Sequence, residues 1–159
     1  MAPGCWSSAA IKAAILAEPT LDWVDETILI LRQGSFWNSV ATAIGSVSAA
    51  RSSDSPLGIG SISAVARHCR TTGKKLRILW LDAHADFNTN VLTPSGNIHG
   101  MPVACLCGLG PTALTSLGGQ TPAIQPDWLR QIGIRSVDAG EKRLVHAHNL
   151  DVFDMRFID

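Results

Sequence analysis

From residue 59 onward the chain alternates apolar runs with polar, glycine-bearing breaks, and the spacing of the apolar positions predicts a series of elements. Ile62, Val65, Ala66 and Cys69 recur at the three- and four-residue intervals of a helix that buries one face. Gly73 then marks its stop, because glycine accepts the left-handed backbone that ends a helix. Leu76 to Leu81 is apolar apart from Arg77, the pattern of a strand covered on both faces. Asp82 to Gly100, with its Asn, Thr, Pro, Ser, Gly and His, reads as a long loop, and Met101 to Cys107 begins a helix. Leu109 to Gln125 is rich in Gly, Pro and Thr and reads as loop; Gln131–Arg135 reads as a strand, Ala139–His148 as a helix and Asp151–Met155 as a further strand. Strands alternating with helices in this way predict an α/β fold built on a parallel sheet.

Residues 1–58 carry a weaker pattern and form a poorly assigned N-terminal region, set against a partial domain over 59–159. Ser8 to Ala17 suits a short helix that stops before Pro19, and Glu26 to Leu31, with Ile28 to Leu31 unbroken, suits a buried strand. Ser39 to Ala50 is made mostly of small residues and fits either a weak helix or a disordered link; Arg51 to Pro56 reads as a loop. No internal repeat is visible.

Composition narrows the function classes. Apolar residues make up 46% of the 159, enough for one core, and charged residues only 16%, which argues against extended disorder. Thirteen basic residues balance thirteen acidic ones, with no basic run long enough to follow a phosphate backbone, so nucleic acid is not an expected partner. Lys74, Lys75 and Arg77 instead fit a solvated helix-to-strand turn. No apolar stretch is long enough to cross a bilayer and the N-terminus lacks a signal-peptide pattern, so the expected location is cytoplasmic, without a membrane partner. Cys105 and Cys107 are two apart, wrong for a zinc knuckle; with Cys69 they read as small buried hydrophobes.

The chemistry concentrates where strands end. Asp82-Ala-His84-Ala-Asp86 directly follows the Leu76–Leu81 run, and in extended chain alternate side chains point to one side. Two carboxylates and an imidazole meeting there need protons or a cation, and an oxygen and nitrogen donor set without thiolate favours Mn²⁺, Fe²⁺, Mg²⁺ or Zn²⁺. Donors spread along the chain suit two ions, about 3.5–4 Å apart, that together activate water. The competing structural reading is a capping Asp82, a satisfied His84 and a solvated Asp86. Ser95-Gly-Asn97-Ile-His99-Gly100 offers hydrogen-bonding groups and an imidazole able to carry protons, or is an ordinary surface loop. Asp138 and Glu141 have the spacing of a helix capping box, or hold a substrate ammonium. His146 and His148 are two apart on a helix, share no face and read as surface residues.

Taken in order, Asp82-Ala-His-Ala-Asp-Phe-Asn88, Ser95-Gly-Asn-Ile-His-Gly-Met-Pro-Val103 and Ile132-Gly-Ile-Arg-Ser-Val-Asp-Ala-Gly-Glu141 resemble the arginases of the ureohydrolase family, over about residues 59–159. The Ser-Gly-Asn-x-His-Gly loop is more similar to arginases than to agmatinase-type relatives. The resemblance implies a three-layer parallel-sheet fold, a binuclear manganese site and hydrolysis of L-arginine to L-ornithine and urea. It implies metal ligation by Asp82, His84 and Asp86, with Asp82 bridging, and proton shuttling by His99. Asn88, Ser95 and Asn97 would hold the substrate carboxylate, and Asp138 with Glu141 its amino group. Family members assemble as homo-oligomers. The same resemblance implies an incomplete ligand set: Ser55 stands where the family has a histidine, and the family's later Asp-x-Asp strand end is not matched before Asp159. A non-catalytic ureohydrolase fragment or pseudo-enzyme, and a ureohydrolase for another guanidino compound, are the alternative expectations.

Overall fold

The run with the fewest polar interruptions lies at the middle of the sheet. The computed structural model describes residues 26–32, 48–49 and 58–158. Among them, β1 (Glu26–Arg32), β2 (Ser48–Ala49), β3 (Lys75–Leu81), β4 (Leu129–Ile134) and β5 (Asp151–Asp154) form one sheet in the order β2-β1-β3-β4-β5, every neighbouring pair parallel. β3 pairs with β1 along its full length, from Glu26↔Lys75 to Arg32↔Leu81, and with β4 from Ile78↔Leu129 to Leu81↔Ile132. The order reverses direction between β1 and β3, so the space beyond the carboxyl end of β3 is where such sheets hold ligands.

Two-residue alternation along β3 sends Leu76, Ile78 and Trp80 into one core cluster with Ile59, Ile62, Ala66 and Cys69 of α1 (Gly58–Thr72). α2 (Pro102–Leu106) adds Val103, Ala104, Cys105 and Leu106 to the same cluster. Each fully buried aliphatic side chain of this kind contributes about 1.5–3 kcal/mol relative to an exposed one. α1 ends as expected: Gly73 has φ +69°, which a side chain would strain. Arg70, in its last turn, reaches across to the segment before β4. It donates to Gln120 Oε1 at 2.8 Å and to the carbonyls of Pro122 and Ala123, and it lies 5.5 Å from the Trp128 ring centroid.

Several sequence expectations change in detail. The Gly/Pro/Thr-rich stretch after Leu109 contains a one-turn helix, α3 (Thr112–Thr115), and a 3₁₀ turn at Pro126–Trp128 precedes β4. The helix expected over 139–148 is α4 (Ala139–Ala147), and the last strand stops at Asp154, where α5 (Met155–Ile158) begins. Ser48–Ala49, expected in a weak helix or a link, is a strand; the rest of that stretch, the Ser8–Ala17 helix and the Arg51–Pro56 loop lie outside the described residues. Cys69 and Cys105 are buried, whereas Cys107 is only partly so; burial pushes the Cys105 and Cys107 thiols up, that of Cys107 to about 12, so neither is a ready nucleophile near neutral pH.

Candidate functional site

The seven residues after β3 leave the sheet yet have their backbone bonded from four directions. Asp82 N–H donates to the Ile132 carbonyl at 3.2 Å, and the Ala83 carbonyl accepts from Arg135 and Ser136 N–H at 2.9 and 3.0 Å, so β4 guides the first turn. His84 extends that guidance as an isolated parallel bridge to Ser136. The Ala85 carbonyl accepts from the Gln131 side-chain amide. The Asp86 carbonyl accepts from Val103 and Ala104 N–H at 3.0 and 3.3 Å, satisfying donors that the first turn of α2 leaves free. Phe87 N–H donates to Glu141 Oε1 at 2.8 Å, and Asn88 N–H to the Gly100 carbonyl at 2.9 Å. Asp86 adopts φ +50°, unusual for a residue with a side chain but tolerated by Asp.

On this frame stand three acidic side chains. Asp82 Oδ1 accepts from Ala83 and His84 N–H at 2.5 and 3.1 Å and lies 3.5 Å from His84 Nδ1. The His84 side chain is otherwise largely exposed. Asp86 is buried, and its Oδ2 has no hydrogen-bond partner among the described residues. Burial first, then the charges of Asp82 and Glu141, push its carboxyl up to about 8. Glu141 is raised in turn by its own burial, against the bond from Phe87 that favours its charge. Excess negative charge around a buried oxygen without a donor fits a divalent cation as its complement. Asp82, His84 and Asp86 follow one another on one turn; among the described residues no group of three or more His, Cys, Asp or Glu is arranged to hold a metal by itself.

The other expected site residues fall into two sets. Asn88 and Asp138 meet: Asn88 Nδ2 donates to Asp138 Oδ2 at 2.7 Å. Asp138 is also the N-cap of α4, its Oδ1 accepting from Glu141 N–H at 2.9 Å. These bonds, first the backbone one and then that of Asn88, hold its carboxyl below the usual range. Glu141 is buried and turned to the backbone of Phe87 rather than to solvent. Ser95, Asn97 and His99 instead lie on an exposed loop. Ser95 Oγ accepts from Asn97 N–H and Asn97 Oδ1 from His99 N–H, both at 3.2 Å, so the loop shapes itself.

Two contributors went unseen in the sequence. Gln131, fully buried on β4, looked like one more residue of a short strand, and its only visible signal is a polar side chain at a core-facing position beside Leu129. His148, expected on the surface, is half-buried and meets the fully buried Phe87 ring edge-on, centroids 5.7 Å apart.

The sequence and the fold are similar to those of known proteins. The model described as Arginase family matches residues 54–159. An arginase of Bacillus caldovelox is 42% identical over 106 residues, which cover 67% of this chain and 34% of that protein. A solved structure of the Bacillus caldovelox arginase superposes with a TM-score of 0.51 and 31% identity, over 65% of this chain and 43% of that one. The Helicobacter pylori arginase structure superposes with a TM-score of 0.52 and 27% identity, over 69% and 38%. The chain spans about a third of the length of the curated relatives it matches.

Proposed function

Because this chain belongs to the arginase family, we propose that it carries part of a manganese-dependent site that hydrolyses L-arginine to L-ornithine and urea. The observation that carries the reading is the charge surplus at the end of β3, where the unpartnered Asp86 Oδ2 sits in the field of Asp82 and Glu141. Asp82, His84 and Asp86 are the residues that would hold Mn²⁺. When bound, such a cation acidifies water and neutralises the carboxylates that otherwise repel one another.

The remaining roles are those the family resemblance implies. Asn88 and Asp138, bonded to each other beside the turn, are polar groups able to orient the amino-acid end of the substrate. Ser95 and Asn97 face solvent on the loop and supply hydrogen bonds for an α-carboxylate. A site that bonds that carboxylate disfavours agmatine, which lacks it. In this reading His99, exposed on the same loop, is the proton shuttle. L-Arginine is thus the partner this reading implies. Cytoplasmic location is part of it, supported by the free thiols of Cys69, Cys105 and Cys107.

A second reading, a non-catalytic member of the family, is favoured by one observation: among the described residues no group of three or more His, Cys, Asp or Glu is arranged to hold a metal, whereas two ions require more ligands still. A urea-release assay with excess Mn²⁺, on L-arginine and on agmatine, separates the two. These 159 residues are expected to bind Mn²⁺ and release no urea until further ligands are supplied, and then to prefer L-arginine. Urea production by the 159-residue chain itself, abolished by both Asp82→Ala and His99→Ala, would overturn the second reading. Equal rates on the two substrates would overturn the role of the loop.

A further inference from the structure

We infer that Gln131 is a positioning residue for Asp86, an inference that rests on the metal reading of the Asp82–Asp86 turn. An interior strand position facing a core is ordinarily apolar, and its neighbours on β4, Leu129 and Ile132, are fully buried and apolar. Gln131 is equally buried, yet its Oε1 has no hydrogen-bond partner among the described residues, an unfavourable state for a buried acceptor. Its Nε2 donates to one group, the Ala85 carbonyl.

That carbonyl belongs to the peptide joining Ala85 to Asp86. A peptide is a rigid plane, so fixing the direction of its oxygen fixes the direction of the N–H on its far side. The φ of Asp86, +50°, is the rotation from that plane to the Asp86 side chain. Among the described residues, β4 and the two residues after it guide the turn with their backbone only at Asp82, Ala83 and His84, and the α2 donors take over at the Asp86 carbonyl. Between these anchors the Ala85–Asp86 peptide would be free to turn over. The Gln131 amide holds it, keeping Asp86 in its left-handed backbone conformation and its carboxylate near that of Asp82.

The experiment replaces Gln131 with Met, which keeps length and removes the donor. It reads Mn²⁺ affinity by titration and, without metal, amide hydrogen exchange residue by residue. Gln131→Met should weaken Mn²⁺ binding about 10–100-fold, the usual loss when a ligand's outer support is removed. Exchange at Asp86, Phe87 and Asn88 should quicken at least about tenfold, on the order of one unit of log protection, while α1 and β3 keep their protection. In the unaltered protein one side-chain amide proton of Gln131 should itself resist exchange, which tests the bond even if the variant fails to fold. Unchanged exchange at Asp86–Asn88, or a freely exchanging Gln131 amide, overturns the inference. Quicker exchange with unchanged Mn²⁺ affinity overturns it as well, leaving Gln131 a structural tie. If the unaltered protein takes up no Mn²⁺, the metal reading fails, and the exchange data still decide whether Gln131 holds the turn.

Discussion

The turn over 82–88 and the loop over 89–100 follow one another in sequence and are built on opposite plans. The turn is bonded outward: to the β4 backbone, the Gln131 amide, the first turn of α2 and the Glu141 carboxylate, with Ala85, Asp86, Phe87 and Asn88 all buried. The loop is bonded mainly to itself, through Thr89, Ser95 and Asn97, and leaves Val91, Leu92 and Ile98 exposed. Carboxylates that share a cation need fixed separations, because repulsion and coordination both change steeply over fractions of an ångström. Groups that admit and release a substrate need room to move. In the proposed reading the turn is a fixed floor and the loop a rim free to adjust.

The largest effect is expected from removing the floor's anchor. Phe87 is completely buried, so Phe87→Ala should cost about 3–5 kcal/mol in urea unfolding, whereas Ile98→Ala on the exposed rim should change stability by less than about 0.5 kcal/mol. Similar losses at the two positions would erase the distinction.

A smaller effect tests the electrostatics of the floor in metal-free protein. Asp86 is ionised in the unfolded chain above its ordinary 3.8 but keeps its proton in the fold up to about 8. Its contribution is therefore fully present below 3.8 and lost as pH rises toward 8, with a slope on the order of 1 kcal/mol per pH unit. Asp86→Asn should flatten that decline in thermal melts with chelator between pH 4 and 8, and should remove any stabilisation by added Mn²⁺. A parent and variant with parallel pH profiles would refute the buried-carboxylate account.

The smallest effect belongs to the rim. Asn97→Ala removes the side-chain acceptor for His99 N–H at the start of the 3₁₀ turn Ile98–Gly100. It should cost about 0.5 kcal/mol, the low end for a lost cap, and quicken amide exchange at His99 without altering it at Phe87. Quickened exchange at Phe87 would mean that rim and floor are coupled.

The polar residues of the floor are easier to pick out in the sequence than the groups that support them. The buried face of α1 follows from hydrophobic period, because 15 residues repeat their pattern often enough to be read, and β3 follows from its apolar run. Asp82, His84 and Asp86 follow from alternation at a strand end. α3, β2 and α5 were not legible, since elements of 2–4 residues hold no complete period and take their shape from contacts distant in sequence. Gln131 was hidden for the same reason: its meaning lies in the Ala85 carbonyl, 46 positions earlier. The spacing of Asp138 and Glu141 allows either a capping box or a hold on a substrate ammonium, and only the fold shows the Glu141 carboxylate meeting the Phe87 backbone.

The central place of β3 has a consequence for how the chain comes together during synthesis. Ile78 is flanked by Leu29 on one side and Leu129 on the other, partners about fifty residues away in each direction. As the polypeptide leaves the ribosome, β3 can join β1 at once, but its other edge must wait until β4 has been made. For that interval a mostly apolar strand presents open backbone donors and acceptors, a template for pairing with another nascent chain. Closing so distant a contact is slow compared with forming α1. Yield in the cell should therefore depend on the pace of translation between residues 82 and 128 and on chaperones that shield the waiting edge.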